Sequence, residues 1–184
     1  MLNRRVALVT GSTQGIGWSV AQVLARAGAR VVLHGIEPQA RGQALAEELV
    51  AKAGVPAAYV QADLADAAQA EALVDAATAA LGPPDILVNN AGIQHTCPIE
   101  RFPRERWDAI LAVNLSAAFL AMKAAVPGMR QRGWGRIVNI ASVHGLVASV
   151  NKAAYLAAKH GLVGLSKGVA LETAAQGITV NCIC

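Results

Sequence analysis

The stretch Thr10-Gly11-Ser-Thr-Gln-Gly15-Ile-Gly17 decides the fold, because it joins an apolar run to a helical pattern. The run from Arg5 to Thr10 is typical of a buried strand, and Gly15 to Ala27 is typical of a helix. Glycines at such a junction permit a tight turn and let backbone N–H groups approach a pyrophosphate at the helix N-terminus. The motif therefore predicts a phosphate-binding turn; the alternative is a tight turn that holds no ligand.

Strand and helix patterns alternate along the rest of the chain, which favours a parallel sheet with helices on both faces. We predict further strands at 29–33, 57–61, 85–89, 135–141 and 178–183, and further helices at 38–53, 67–81, 104–132 and 151–175. Pro127 is expected to kink or end the helix at 104–132. Because a strand finishes at the last residue, we expect part of a binding site to be missing.

The composition argues against several classes of protein. The 184 residues fit one domain, and the formal charge of +4 comes from scattered Arg and Lys rather than from a nucleic-acid or membrane patch. No apolar stretch is expected to approach the ~20 residues of a membrane span. The three cysteines form neither a disulfide framework nor, as Cys182-x-Cys184, a zinc site. These features favour a reducing cytoplasm and predict no metal.

Tyr155 and Lys159 form the candidate catalytic pair. Their spacing places both side chains on one face of a helix. A phenol, with a reference pKa of about 10, is a poor acid or base at neutral pH, and a nearby ammonium lowers that pKa by at most about three units. Ser142 would then hold a substrate oxygen. Alone, such a pair is more often a half-buried aromatic beside a solvated lysine, so the case depends on the other motifs.

Other polar residues follow predicted strands or lie near the same edge of the sheet. Asp63 would accept a hydrogen bond from an adenine amino group, or would cap the next helix. Asn90 would tie down loop backbone beside a cofactor, or make a plain turn. Glu37 lies where an acid favours NAD and an arginine NADP, although it also suits a surface acid. Asn114, in mid-helix, would position water or act as a buried polar tie.

Together these motifs resemble the short-chain dehydrogenase/reductase family over the whole chain. The resemblance implies one dinucleotide-binding domain, 1–184, with a Rossmann-type doubly wound parallel sheet in three αβα layers, six strands present and the final strand missing. It implies hydride transfer between a nicotinamide and a carbonyl or alcohol carbon, and Glu37 favours NAD as the cofactor. The residues that carry it are the glycine turn, Asn89-Asn-Ala-Gly92, Asn114, Ser142 and Tyr155-xxx-Lys159.

Site roles follow from this resemblance. Tyr155 is implied as acid/base, Lys159 as the group that binds the nicotinamide ribose and lowers the tyrosine pKa, and Ser142 as the group that orients the substrate oxygen. Asn114 is implied to support a water chain that relays the proton. The implied cofactor-binding residues are Gly11, Thr13, Gln14, Gly15, Ile16, Gly17, Asp63, Leu64, Asn90, Ala91, Gly92, Tyr155 and Lys159.

Within the family, Gly92 to His95, Ala141 to Tyr155 and Ala170 to Asn181 resemble the bacterial D-3-hydroxybutyrate dehydrogenase branch. That branch implies reversible oxidation of (R)-3-hydroxybutyrate to acetoacetate. A cation with two hydrogen-bonding side chains suits a small carboxylate. Taken alone, Lys152 would more often be a solvated lysine, His144 a core histidine and Gln94 a loop residue. The implied substrate-binding residues are Gln94, Ser142, His144, Lys152 and Tyr155.

Two departures from that branch are visible. His34-Gly35-Ile36 stands where the branch usually has Asn-Gly-Phe, and the chain ends at Cys184, where the family continues with Pro-Gly. The continuation would carry nicotinamide contacts, a substrate lid, the last strand and one interface of a homo-oligomer, a tetramer in the family. One alternative is a truncated chain that binds dinucleotide weakly or not at all and does not catalyse a reaction. The other is a short-chain reductase of another hydroxyacyl or sugar substrate.

Overall fold

Six parallel strands form one sheet within residues 2–184, the part of the chain that the computed structural model describes. The strands are β1 (Val6–Val9), β2 (Arg30–Gly35), β3 (Ala57–Gln61), β4 (Ile86–Asn89), β5 (Gly135–Ile140) and β6 (Ile178–Ile183). Their order is β3-β2-β1-β4-β5-β6, and neighbouring strands are parallel. The order reverses between β1 and β4, where a doubly wound sheet opens a crevice at the carboxyl ends of its strands.

Helices cover both faces of this sheet, which confirms the predicted doubly wound αβα fold. They are α1 (Gly15–Arg26), α2 (Gln39–Ala53), α3 (Ala67–Leu81), α4 (Arg104–Leu111), α5 (Ala117–Arg132) and α6 (Ala153–Thr173). Ala7 and Val9 face the core under α1 and α2, whereas Leu8 faces the core under α3 and α5. Successive side chains of a strand point to opposite faces, so a strand covered on both faces needs an unbroken apolar run.

The predicted helix at 104–132 is divided in the structure. A π-helical turn, Ala112–Ser116, separates α4 from α5. Pro127 lies inside α5, which continues to Arg132, so the alternative in which Pro127 ends the helix is wrong. A proline removes one backbone hydrogen bond, and here the buried side chains of Ala125 and Met129 hold the helix against the core on both sides of it.

The expectation that no apolar stretch approaches the length of a membrane span is also wrong for this segment. Residues 104–132 are long and apolar enough to cross a membrane by length and composition alone. The buried residues Ala121, Met122 and Met129 pack against the sheet instead. The core helix of a folded domain passes the same compositional test, because its apolar face is buried by protein.

Asp85 fixes the amino end of the sheet. Its carboxylate is nearly buried, and one oxygen accepts the Val6 backbone N–H at 3.0 Å. The other oxygen accepts Nη1 of Arg5 at 3.3 Å and Nε of Arg132 at 3.1 Å. The Arg5 guanidinium also lies 3.9 Å from the centroid of the Trp134 ring. One carboxylate therefore joins the start of β1, the start of β4 and the end of α5.

Replacing Asp85 with Ala should lower the free energy of unfolding by about 2–4 kcal/mol. The substitution leaves the Val6 N–H and two guanidinium groups without their shared acceptor. Urea denaturation at neutral pH measures the change.

Asp108→Ala is the matched control, because Asp108 pairs with Arg104 on the exposed face of α4. Its loss should change the free energy of unfolding by no more than about 0.5 kcal/mol. Equal losses in the two variants would contradict the role given to Asp85.

Candidate active site

A cleft of about 480 Å³ opens at the carboxyl ends of the strands where their order reverses. Four loops form its walls: the glycine turn after β1, the end of β2, the segment after β3 and the segment after β4. The residues that line it are Gly11, Thr13, Gln14, Ile16, His34, Gly35, Ile36, Glu37, Asp63, Leu64, Ala65, Asn90, Ala91, Gly92, Ile93 and Val113. Most of the predicted cofactor-binding residues therefore share one cavity.

Two glycines shape the floor of this cleft. Gly11 has a φ of +59°, and a Cβ there would lie 2.9 Å from the Cα of Ala91. A Cβ on Gly17 would overlap the Gly11 carbonyl oxygen, so Gly17 brings α1 close to the turn without lining the cavity. No side chain in residues 2–184 caps the N-terminus of α1. The first amides of α1 are thus left for an anion.

Thr10 and Asn90 bind the loops after β1 and β4 to each other. The Thr10 hydroxyl accepts the backbone N–H groups of Asn90 and Ala91, both at 3.0 Å. In return, the Asn90 side-chain amide donates to the carbonyls of Thr10 and Gly11, both at 2.9 Å. Four hydrogen bonds therefore fix the separation of the two loops, and Asn90 does more than make a plain turn.

Glu37 lies on the cleft wall in a fixed position. One carboxylate oxygen accepts the Thr13 hydroxyl at 2.7 Å, and the Tyr59 hydroxyl donates to the Glu37 carbonyl at 2.7 Å. The other carboxylate oxygen, Oε2, is buried and has no hydrogen-bond partner within residues 2–184. Burial, together with this carboxylate, raises the pKa of Tyr59 to about 12, which keeps its hydroxyl a donor. A buried acceptor without a partner is suited to a ligand hydroxyl.

Asp63 lines the cleft, and its Oδ1 accepts the backbone N–H of Ala65 at 2.9 Å. The alternative in which Asp63 caps the following helix is wrong. Asp66 caps α3 instead, since its side chain accepts the N–H groups of Ala68 and Gln69. Both aspartates precede the helix, and the sequence pattern does not decide which carboxylate reaches its first turn.

Asn114 is a buried polar tie in the π-helical turn. Its side-chain oxygen accepts the Ile93 N–H at 2.8 Å, and its side-chain amide donates to the Ile93 carbonyl at 2.9 Å. The Asn114 side chain thus satisfies both backbone groups of Ile93 and holds the loop after β4 in place. A π-helical turn often marks a functional site, because it re-aims side chains that a regular helix would place elsewhere.

Ser142, His144, Tyr155 and Lys159 converge beyond the end of β5. The Ser142 hydroxyl accepts the His144 backbone N–H at 3.2 Å and lies 3.4 Å from His144 Nδ1. The rings of His144 and Tyr155 meet edge to face, with centroids 6.0 Å apart. Lys159 Nζ lies 5.6 Å from the centroid of the Tyr155 ring. Motifs that are separate along the chain thus form one cluster in space.

Lys159 is almost completely buried, at 3% exposure. Its ammonium donates to the Ile140 carbonyl at 2.7 Å, which fixes the side chain against the end of β5. Burial lowers the pKa of Lys159 below 10.5, because the charged form loses its hydration. The lysine is therefore not the solvated side chain that the spacing alone would most often indicate.

Gln94 and Lys152 are not joined to this cluster by a side-chain hydrogen bond in the described residues, 2–184. Their segments are joined to each other by backbone, since the Cys97 N–H donates to the Asn151 carbonyl at 2.9 Å. Asn151 has a φ of +63° at this contact. The loop that carries Gln94 therefore lies beside the residue that precedes Lys152.

Sequence reasoning missed His34 and the hydroxyl of Thr10. The buried imidazole of His34 contacts the backbone of both the glycine turn and the segment after β3. Burial lowers the pKa of His34 to about 4. The signal available in the sequence is a titratable histidine directly after the apolar run Val31-Val32-Leu33.

The fold and this cleft define a doubly wound α/β protein with a crevice at the switch point of its sheet, and the comparisons specify its family. A family model described as short chain dehydrogenase matches residues 5–184. The chain belongs to the short-chain dehydrogenase/reductase family.

Individual relatives agree with this assignment. The chain is 53% identical to a D-beta-hydroxybutyrate dehydrogenase of Cupriavidus necator over 184 residues, which cover all of this chain and 70% of that protein. It is 47% identical to a protein of the same name from Rhizobium meliloti over 98% of this chain and 70% of that one. A gluconate 5-dehydrogenase from Burkholderia cenocepacia, solved in complex with NADP and tartrate, is 38% identical with a TM-score of 0.91 over 98% of this chain and 70% of that chain.

The buried Lys159 predicts a specific dependence of stability on pH. Its folded pKa is lowered, so folding carries the full cost of burying the ammonium below that folded pKa. As the pH rises towards 10.5, the unfolded chain also loses this proton, and the cost disappears. The unfolding free energy of the wild type should therefore rise relative to that of Lys159→Met between neutral pH and 10.5.

Denaturant unfolding of both proteins across this pH range measures the difference. A Cys182→Ser background removes the thiol that interacts with Lys159. A difference in free energy that stays constant with pH would contradict the lowered pKa.

Proposed function

We propose that this protein oxidises (R)-3-hydroxybutyrate to acetoacetate with NAD, and that it catalyses the reverse reaction. The observation that carries the proposal is the convergence of Ser142, His144, Tyr155 and Lys159 beyond the end of β5. Two relatives at 53% and 47% identity, both named D-beta-hydroxybutyrate dehydrogenase, support the choice of substrate.

The cleft has the features that a dinucleotide needs. The positive φ of Gly11 and the uncapped amides of α1 suit a pyrophosphate. The unpartnered Oε2 of Glu37 suits the hydroxyls of the adenosine ribose, which can donate to it. A carboxylate at this position would repel a 2′-phosphate, and this repulsion supports NAD over NADP.

Each catalytic side chain has a distinct part in the proposed reaction. Bound NAD would supply the acceptor for the hydride that leaves the alcohol carbon of the substrate. In the oxidising direction the deprotonated oxygen of Tyr155 takes the hydroxyl proton of the substrate, and in the reducing direction the Tyr155 hydroxyl returns it. Ser142 holds the substrate oxygen by a hydrogen bond. Lys159, with its ammonium fixed by the Ile140 carbonyl, would attract negative charge on the Tyr155 oxygen and bind the nicotinamide ribose.

The substrate carboxylate is proposed to bind among Gln94, His144 and Lys152. His144 already contacts the Tyr155 ring and lies within reach of Ser142. Lys152 directly precedes the first turn of α6, which carries Tyr155. The backbone contact between Cys97 and Asn151 brings the Gln94 loop to the same side. A cation with two hydrogen-bonding side chains suits an anion of this size.

Tyr155→Phe should abolish turnover, because the phenolic oxygen is the proposed proton acceptor and phenylalanine has none. The dissociation constant for NAD should change by less than about threefold, since the substitution removes no group from the cleft lining. Initial rates of NADH formation and a fluorescence titration with NAD measure the two effects.

Tyr59→Phe is the matched control, because it removes the hydroxyl of the other tyrosine. Within residues 2–184 that hydroxyl makes one hydrogen bond, to the Glu37 carbonyl, so kcat should stay within about threefold of the wild type. Turnover retained in Tyr155→Phe would exclude the proposed mechanism.

Glu37→Gln should raise the ratio of kcat/KM for NADP to kcat/KM for NAD by about tenfold or more. The substitution keeps the shape of the side chain and removes the charge that would repel a 2′-phosphate. Steady-state kinetics with each dinucleotide measure the ratio.

Glu47→Gln makes the same change on the exposed face of α2 and should leave the ratio unchanged. If Glu37→Gln behaved like Glu47→Gln, the assignment of NAD specificity to Glu37 would be wrong.

The second candidate is a dehydrogenase of another hydroxy acid. The favouring observation is the TM-score of 0.91 to a gluconate 5-dehydrogenase whose structure contains NADP and tartrate. Comparison of kcat/KM for gluconate and for (R)-3-hydroxybutyrate separates the two candidates, and a higher value for gluconate would replace the first proposal by the second.

A further inference from the structure

We propose that His34 is a positioning residue of the cleft, whose neutral imidazole holds the glycine turn after β1 and the Ala62–Asp63 segment after β3 at a fixed separation. The inference rests on the proposed function, because the cleft between these segments is where the dinucleotide is proposed to bind. One side chain of β2 thereby sets the distance between two of the cleft walls.

The contacts of the ring fix its protonation state. The Gly11 backbone N–H donates to Nδ1 of His34 at 3.1 Å, and Nε2 lies 3.2 Å from the Ala62 carbonyl oxygen. A backbone N–H can only donate and a carbonyl can only accept. The imidazole is therefore neutral, with its proton on Nε2, because a proton on Nδ1 would face another N–H.

Burial supports the same assignment. His34 is 2% exposed, and this burial lowers the pKa of His34 to about 4. Glu37 and Asp63 are the acids that act on the ring, and both favour the charged form, but desolvation outweighs them. The bridge is therefore uncharged throughout the neutral range.

The place of His34 in the sheet explains why this residue can join the two walls. β2 pairs with β1 on one side and with β3 on the other, so a side chain at its carboxyl end reaches both following loops. Gly11 and Asp63 line the cleft directly, and Ala62 precedes Asp63. Loss of the ring would leave the part-buried Gly11 N–H and the buried Ala62 carbonyl without these partners and would remove the side-chain link between the two walls.

The backbone of His34 makes separate contacts that a substitution keeps. Its N–H donates to the Ser12 hydroxyl at 2.9 Å, and its carbonyl accepts the Ser12 N–H at 2.9 Å. These bonds hold the glycine turn to β2 whatever side chain stands at position 34. Variants at this position should therefore fold, with the bridge to the segment after β3 removed.

Three variants test the proposal. His34→Leu nearly conserves volume and makes neither hydrogen bond, whereas His34→Asn is smaller and keeps an oxygen that can accept the Gly11 N–H. His160→Leu is the matched control, because His160 is exposed on α6. Titration with NAD and steady-state kinetics with NAD and (R)-3-hydroxybutyrate give the readouts.

The dissociation constant for NAD should rise about tenfold or more in His34→Leu, by a smaller factor in His34→Asn, and not at all in His160→Leu. The KM for the hydroxy acid should stay within about twofold in all three. A side chain that only fills space would give the opposite order, with leucine better than asparagine. That order, or unchanged binding in His34→Leu, would overturn the proposal.

Nitrogen-15 NMR of the imidazole tests the bridge without a dinucleotide. The wild type should show a neutral ring protonated at Nε2 at pH 7, and protonation at Nδ1 or titration near pH 6.5 would overturn the proposal. Failure of the wild type to bind NAD or NADP would instead overturn the proposed function, and the NMR result would still decide whether His34 bridges the two walls.

Discussion

The four hydrogen bonds between Thr10 and Asn90 and their loops are the contacts on which the site depends. They lie where the order of the strands reverses, so the chains after β1 and β4 leave the sheet towards opposite faces. Unpaired backbone groups at such a point would need water or a partner, and the two side chains supply that partner internally. With the two loops fixed, Gly11 packs on Ala91 and the cleft has a rigid floor.

The fold could be predicted largely from local patterns. Strands covered on both faces require unbroken apolar runs such as Val6 to Val9, and these runs mark the strands directly. The π-helical turn could not be predicted, because it depends on the long-range bonds between Asn114 and Ile93. The same limit applies to Pro127, whose helix continues because buried neighbours hold it.

The candidate site divides in the same way. Tyr155 and Lys159 share a helical face through local geometry alone, so their pairing is visible in the sequence. The Ile140 carbonyl that fixes Lys159, and the Thr13 hydroxyl that fixes Glu37, become neighbours only through the sheet. His34 was missed because its two partners are backbone groups, which no motif records. The positions of Gln94 and Lys152 depend on loops, and their part in substrate binding stays a prediction.

Isotope transfer tests the central claim most directly. The protein would be given NAD and (R)-3-hydroxybutyrate carrying deuterium on the alcohol carbon, and the reduced dinucleotide would be examined by mass spectrometry. Direct hydride transfer at the Ser142–Tyr155–Lys159 cluster predicts NADH with one deuterium on the nicotinamide ring and an equal amount of acetoacetate. Absence of reduction, or NADH without deuterium, would contradict the proposed reaction.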